Sequence, residues 1–418
     1  MKYTFSLVLL LFGFFSFAQS ELLKNHLDGD FYQTQMTGFY LYDPIEKKEL
    51  FNYNGQKYFT PASNTKIFTL YAAIKTLSDS IPAFRYNLVN DVLHIQGTGD
   101  PTFLHPKFNN HKVLDFLKNN GNKIVLHWNN FDEDPFMPGW SWDDFRKSYS
   151  PERSQFPIHE NLVSISKNGK KINTFPSLFQ NVTFIRDYSE AREFYENKFY
   201  ISSKNSTLKV PFITKDNVVK AILEELLEKP VEISYQTFSK PYQTLYSISS
   251  ERIYKEMMEE SDNFLAEQLL IVSSSTLDDK LNSIKIIDFI KSKYLSDLKQ
   301  KPEWIDGSGL SRYNMITPHN LVQVLDKLYK ENETNRLFNI FPVGGESGTI
   351  KNRYKDSKQP YLFAKTGTLG NVLTLSGYVK TKSDKILIFS LMNNNVNKTP
   401  SLVRNENEKL IKLVRDNY

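Results

Sequence analysis

The 418-residue chain contains no cysteine. That excludes disulfides, thiol catalysis, thiolate metal sites and a lipid-modified cysteine at an export cleavage site. It also lacks a marked excess of either charge: 52 Lys and Arg stand against 47 Asp and Glu, well interspersed, for a net charge of +5. No basic stripe stands out, so no nucleic-acid partner is expected. The seven histidines show neither a His-Glu-x-x-His nor any paired ligand spacing, and read as core or surface residues. There is no internal repeat and no low-complexity tract. After the first 18 residues no apolar run is long enough to cross a bilayer. Neither a metal nor a cofactor is expected.

What remains is an ordinary globular composition, with 40% hydrophobic, 24% charged and 14% aromatic residues. The length suggests two or three domains. Residues 1–18 stand apart: Lys2 is followed by an almost unbroken apolar run from Phe5 to Phe17, then Ala18-Gln19-Ser20. This pattern reads as a signal peptide cut ahead of Gln19. The mature protein is expected to be soluble and exported. An exported chain of this size without disulfides fits the periplasm of a Gram-negative-type bacterium better than a eukaryotic secretory route.

The chain is organised around Pro61-Ala62-Ser63-Asn64-Thr65-Lys66 and the apolar run Ile67 to Leu77. A helix apolar nearly all round is a buried helix. Ser63 and Lys66 are three residues apart at its N-terminal end, so their side chains share a face. A serine nucleophile with an amine beside it as proton acceptor can be built this way. The same spacing recurs at Ser164-Lys167, Ser206-Lys209 and Ser296-Lys299, so the tetrad by itself reads as an ordinary helix cap, and the case for function comes from elsewhere in the chain.

Upstream, Gly38 to Tyr42 and Leu50 to Tyr53 flank a turn at Asp43-Pro44 and predict a hairpin. Residues from about 85 to 240 change character, with short strand-like pieces such as Val92 to Ile95 and a long aromatic loop from Asp132 to Tyr149. A loop of that length is functional or part of an insertion. Val218 to Leu227 predicts an amphipathic helix. Helical signals cover Ile253 to Met258, Phe264 to Ser273, Leu281 to Tyr294 and Leu321 to Tyr329. Strands follow at Tyr361 to Ala364, Val372 to Val379 and Ile386 to Met392, and then a helix from Ser401 to Val414. Strands near both ends predict one antiparallel sheet built from both termini, with the middle of the chain forming a separate domain.

Two further pieces join the tetrad: Ser261-Asp262-Asn263 between helical segments, and Lys365-Thr366-Gly367-Thr368 at the end of a strand. Each alone is compatible with a helix cap or a strand end. The three in this order form the signature of penicillin-binding proteins and class A β-lactamases. The chemistry is coherent. Ser63 needs a base, and Lys66 can serve if burial and neighbours lower its pKa. Ser261 can relay a proton to the leaving amine, and Asn263 can hold the substrate amide. Lys365 offers charge, and Thr366 and Thr368 offer hydroxyls, to a substrate carboxylate. Gly367 removes a side chain so that substrate can lie along the strand edge. The N–H groups of Ser63 and Thr368 suit an oxyanion hole.

On these motifs the sequence resembles the D-alanyl-D-alanine carboxypeptidase/endopeptidase group of low-molecular-mass class C penicillin-binding proteins, over nearly the whole mature chain. Gly97-Thr98-Gly99-Asp100-Pro101 is similar to the family's glycine-aspartate-proline turn, and Pro138 to Asp144 to its tryptophan loop. Asp306-Gly307-Ser308-Gly309-Leu310-Ser311-Arg312 matches its aspartate-glycine-serine-glycine block, and Gly348-Thr349 precedes the lysine-threonine-glycine strand. The resemblance implies an α+β fold of the serine β-lactamase/transpeptidase type, an antiparallel sheet flanked by helices plus a helical subdomain. The catalytic domain would comprise 19–85 and 240–418, with 86–239 inserted between the first and second motifs. It implies Ser63 as acylated nucleophile, Lys66 as its base, Ser261 and Asn263 as second element and Lys365 to Thr368 as third. Asp144 and Arg312 would bind the peptide stem. Peptidoglycan stem peptides would be substrates and β-lactams covalent inhibitors. From Ser63 to Ser261 is 198 positions, shorter than in members carrying two inserted domains, so one well-formed inserted domain is expected. A β-lactamase or esterase on the same scaffold would need an efficient deacylating base. Asp278-Asp279-Lys280-Leu281-Asn282 only faintly resembles the loop that carries one, and reads as a loop and helix start. A silent peptidoglycan-binding protein would predict broken motifs, and these are intact.

Overall fold

The computed structural model describes residues 19–186, 190–238 and 240–418; the signal-peptide reading of 1–18 lies outside them. Among the described residues no helix is long and apolar enough to cross a membrane. The chain divides into two compact units. The first comprises residues up to Tyr71, Tyr254–Ser261 and Ser292–Tyr418, and the second Ala72–Ile253 and Asp262–Lys291.

The first unit is built on a five-stranded sheet in the order Leu362–Leu369, Val372–Lys380, Ile386–Asn394, Met36–Asp43, Lys48–Tyr53. Every pairing is antiparallel. Strands from both ends of the chain therefore meet in one sheet, with Met36–Asp43 paired to Ile386–Asn394. Side chains alternate between the two faces of a strand, and here the faces differ in chemistry. Leu375 and Val379 join Phe389, Leu391, Leu410, Ile411 and Val414 in a core shared with Leu23 and Leu27 of the N-terminal helical segment 19–27. The C-terminal helix Pro400–Asn417 thus covers one face. On the other face Thr374, Ser376 and Tyr378 are buried polar groups, which must be hydrogen-bonded to be tolerated. Tyr378 donates to Leu325 O at 2.9 Å, on the helix Pro318–Glu331. Thr374 and Ser376 bind the turn that carries Ser63.

The second unit holds a five-stranded mixed sheet in the order Val231–Ser234, Lys123–His127, Val92–Gly97, Ser80–Val89, Gln243–Ser249. Its first two pairings are parallel, the others antiparallel. The helix Asp216–Leu227 packs Val219, Ile222 and Leu223 into a core with Phe84, Leu93, Ile95, Ile124 and Leu126. A smaller antiparallel sheet orders Thr207–Pro211, Leu162–Asn168 and Lys171–Phe175. Asp132 to Tyr149 contains no strand, and one 3-10 turn at Trp142–Arg146.

The helix Asn263–Ser274 belongs to this unit and is buried along almost its whole length. Its polar Gln268 is fully buried because it ties three backbone groups together. Its amide nitrogen donates to Gly99 O at 2.7 Å and Ser154 O at 2.9 Å, and its oxygen accepts from Ser154 N–H. The glycine-aspartate-proline turn is thereby fixed to the helix that starts at Asn263. Within that turn burial raises the Asp100 carboxyl to about 6, against hydrogen bonds from Ser247 and Thr102.

Candidate active site

Ala62–Thr65 forms a 3-10 turn, and the α-helix Lys66–Thr76 starts at its end. Ser63 therefore sits in a tight turn before the helix rather than in the first α-turn, with Ala62 held at φ +47°. The turn is fixed by the neighbouring strand: Thr374 Oγ1 donates to Pro61 O at 2.9 Å, and Ser376 Oγ donates to Asn64 Oδ1 at 2.7 Å. Asn64 Nδ2 in turn donates to Lys365 O at 2.7 Å. The tetrad and the lysine-bearing strand are thus locked in register.

Lys66 is fully buried. Its Nζ lies 3.0 Å from Ser63 Oγ and donates to Ser308 O at 2.7 Å. The aspartate-glycine-serine-glycine block supplies that carbonyl, and its geometry is set by Asp306. Asp306 accepts from Gly309 N–H at 2.9 Å, Ser311 N–H at 2.6 Å and Asn314 Nδ2 at 2.7 Å. Gly309, at φ +85°, passes so close that an added Cβ would stand 1.9 Å from Ala62 O.

Lys365 Nζ donates to Ser261 Oγ at 2.7 Å and to Thr366 O at 2.8 Å. Burial holds its pKa well below the usual lysine value, and the charge of Lys66 pushes it the same way. Such repulsion is mutual, so the two amines resist carrying two charges at once. Gly367 meets the nucleophile turn directly: an added Cβ would lie 2.2 Å from Thr374 Oγ1, 2.8 Å from Pro61 O and 3.0 Å from Ser63 N. The glycine therefore makes room for the chain's own turn, a reason distinct from making room for substrate. Thr366 Oγ1 pairs with Thr349 Oγ1 at 2.7 Å, and Thr368 is exposed.

Ser261 closes the segment after the helix Ser250–Glu259 at φ +58°. A non-glycine residue in that region is strained, and such strain persists where the surroundings over-determine it. Ser261→Gly should relieve the strain and be about 1 kcal/mol more stable than Ser261→Ala. Both should slow acylation by about 10²-fold or more if the hydroxyl relays a proton. Chemical denaturation and penicillin-acylation kinetics on the two variants check this, and an active glycine variant would exclude the relay.

The first unit thus brings together Ser63, Lys66, Ser261 and Lys365 to Thr368. Arg312 belongs to the same unit and is exposed, its guanidinium beside Gly370. Asn263 and Asp144 belong to the second unit, where both reach Tyr149. Asn263 Nδ2 donates to Tyr149 O at 2.9 Å, and Tyr149 Oη donates to Asp144 Oδ1 at 2.7 Å. Asp262 caps its helix, accepting from Leu265 N–H at 2.9 Å. Sequence reasoning passed over Asn64, Thr374, Ser376 and Tyr149. The available signal was the polar alternation Thr374, Ser376 in an otherwise apolar strand.

Among the described residues the ligand atoms of His105, Glu160 and Asp262 lie within 4.8 Å of one another. His105 Nδ1 accepts Lys107 N–H, which leaves the ring proton on Nε2, facing Glu160 Oε1 at 3.6 Å. Lys209 Nζ donates to Glu160 Oε2 at 2.9 Å. Burial and the two lysine charges lower His105 to about 3. The cluster is a hydrogen-bonded ion pair with a neutral imidazole.

A family model described as the D-Ala-D-Ala carboxypeptidase 3 (S13) family matches residues 19–416. The D-alanyl-D-alanine carboxypeptidase DacB of Haemophilus influenzae is 24% identical over 410 residues, covering 85% of each chain. The crystal structure of penicillin binding protein 4 from the same organism aligns with a TM-score of 0.78 at 20% identity, over 94% of this chain and 99% of that one. Its complex with a β-lactam aligns over the same shares with a TM-score of 0.70, again at 20% identity. At this identity the structural likeness establishes the α+β fold.

Proposed function

The chain belongs to the D-Ala-D-Ala carboxypeptidase 3 (S13) family, and from that premise we propose that it cleaves D-alanyl bonds of peptidoglycan stem peptides through an acyl-enzyme on Ser63. The observation that carries the reading is the fully buried Lys66 amine, 3.0 Å from Ser63 Oγ. A hydroxyl is a weak nucleophile until a neighbouring base takes its proton.

In the acylation step Ser63 Oγ attacks the carbonyl of the penultimate D-alanine and its proton passes to Lys66 Nζ. The N–H groups of Ser63 and Thr368 stabilise the tetrahedral oxyanion, an interaction realised in the transition state and therefore catalytic. Collapse breaks the peptide C–N bond. The leaving amine takes a proton relayed through Ser261 from the lysine pair. Water then hydrolyses the Ser63 ester and restores the hydroxyl. Asn263 holds the substrate amide, and Asp144 and Arg312 bind the stem. Residues 86–239 are an insertion in a catalytic domain formed by 19–85 and 240–418. The enzyme works in the periplasm after removal of residues 1–18.

The test is incubation of the mature protein with a fluorescent penicillin, followed by peptide mass spectrometry and an assay of D-alanine release. The expected result is one stable adduct on Ser63, absent in Ser63→Ala, with D-alanine release lost in the same variant. An adduct on another residue, or release that survives Ser63→Ala, would reject the assignment.

A further inference from the structure

A substrate carboxylate docked along the strand Leu362–Leu369 needs a counter-charge, and Lys365 is badly placed to give one. It is fully buried, and its Nζ is spent on Ser261 Oγ and Thr366 O. Burial opposes its protonation. The hydroxyls of Thr366 and Thr368 are neutral. The charge has to come from a neighbouring element.

Arg404 meets the requirement. It projects from the C-terminal helix Pro400–Asn417 and donates from Nη2 to Thr368 Oγ1 at 3.4 Å. The residue is half-buried with its bond to Thr368 exposed, and no carboxylate pairs with it among the described residues. The acids of its own helix are engaged elsewhere. Glu408 pairs with Arg353 at 3.6 Å and Lys412 at 3.2 Å, and Glu406 with Lys409 at 2.7 Å. Thr349, Thr366, Thr368, Leu373, Arg404 and Asn407 together line a shallow depression at the strand's edge. A half-buried arginine without an anionic partner, next to exposed hydroxyls, is a ready site for a carboxylate. Among the described residues no carboxylate fills it.

We infer that Arg404 is a specificity residue: with Thr366 and Thr368 it binds the free α-carboxylate of the residue that leaves, and so makes that carboxylate a requirement for cleavage. The inference rests on the reading of Ser63 as acyl acceptor. Arg312 supplies a second guanidinium just past the same end of the strand, beside Gly370, two residues beyond Thr368. It has a different job here, holding the stem, and serves as the comparison.

The experiment measures kcat/KM for D-alanyl bond cleavage in two peptides, one ending in free D-alanine and one in D-alanine amide. Wild type should prefer the carboxylate. Arg404→Gln should lose about 10- to 100-fold on the carboxylate peptide, the size of a charge-assisted hydrogen bond, and stay within about twofold on the amide. Arg404→Lys should recover part of the loss. Arg312→Gln should lower both substrates together. A general structural defect would also lower both, so the ratio reports recognition. If Arg404→Gln leaves the ratio unchanged while wild type releases D-alanine and is acylated on Ser63, this inference fails and the catalytic reading stands. If Arg312→Gln collapses the ratio instead, the carboxylate site belongs to Arg312. A wild type that neither cleaves nor takes a penicillin adduct rejects both.

Discussion

Lys66→Met should slow acylation of Ser63 by penicillin by about 10²- to 10⁴-fold, the range that a positioned general base contributes. Methionine fills the buried space of the lysine stem without an amine. The cost to the fold is the Ser308 carbonyl, which loses the donor 2.7 Å away; an unsatisfied buried acceptor costs about 1–3 kcal/mol. Lys66→Arg separates the two roles an amine could play. It keeps a cation that can reach Ser308 O but cannot release its proton at neutral pH. If the lysine acts as base, both variants fail. If it merely supplies charge, the arginine variant acylates at close to the wild-type rate, and the base assignment is wrong.

Lys66→Met also has a signature in stability against pH. Lys365 has its pKa depressed in the folded protein, by burial first and by Lys66 second. Between that value and about 10.4 the unfolded chain binds the proton more readily, so stability rises with pH through this window. Removing the Lys66 charge raises the folded value and narrows the window from below. The total gain in denaturation midpoint over the whole stable pH range up to about 10.4 should therefore be smaller in Lys66→Met than in wild type. An equal gain would mean that the two amines do not oppose each other.

Gly309→Ala should be the most damaging single-methyl change near the site. The backbone at φ +85° already disfavours a side chain, by about 1–2 kcal/mol. The new Cβ would stand 1.9 Å from Ala62 O and 2.9 Å from Thr65 Oγ1, both in the nucleophile turn. Backbone cannot rotate aside as a side-chain tip can, and overpacking of this kind adds about 1–3 kcal/mol. The displacement falls on Ser308 O and on the Ser63 turn together. A misplacement of about 1 Å at a reacting group can cost about 10²-fold in rate. Thermal melts and acylation rates should both drop. Gly169→Ala is the control: its φ is +58° but nothing stands within 4 Å of an added Cβ. It should lose only the backbone term, with acylation unchanged. Wild-type acylation by Gly309→Ala would show that the two loops are not held as tightly as their geometry implies.

Much of this protein was legible before any coordinates. The apolar run after Lys66, the hairpin after Thr37 and the three C-terminal strands fixed the main elements, because each signal is local: a period, a turn or a buried face. The single sheet made from both chain ends followed from the placement of those strands. The three motifs named the chemistry, since Ser63 with Lys66, then Ser261 with Asn263, then Lys365 with Gly367 in that order have few other uses. What the sequence by itself determined was therefore the reaction class and the elements that carry it.

Tertiary structure decided the rest, because it lies in contacts between residues far apart in the chain. Thr374 and Ser376 look like strand filler until they are seen holding Pro61 and Asn64. Gly367 reads as room for a ligand, yet the atoms it admits are Thr374 Oγ1, Pro61 O and Ser63 N. Lys365 reads as a charge for a substrate carboxylate, and only its burial reveals an amine that resists its charge. Residue type and spacing carry chemistry along the chain; desolvation and close approach exist only after distant segments pack.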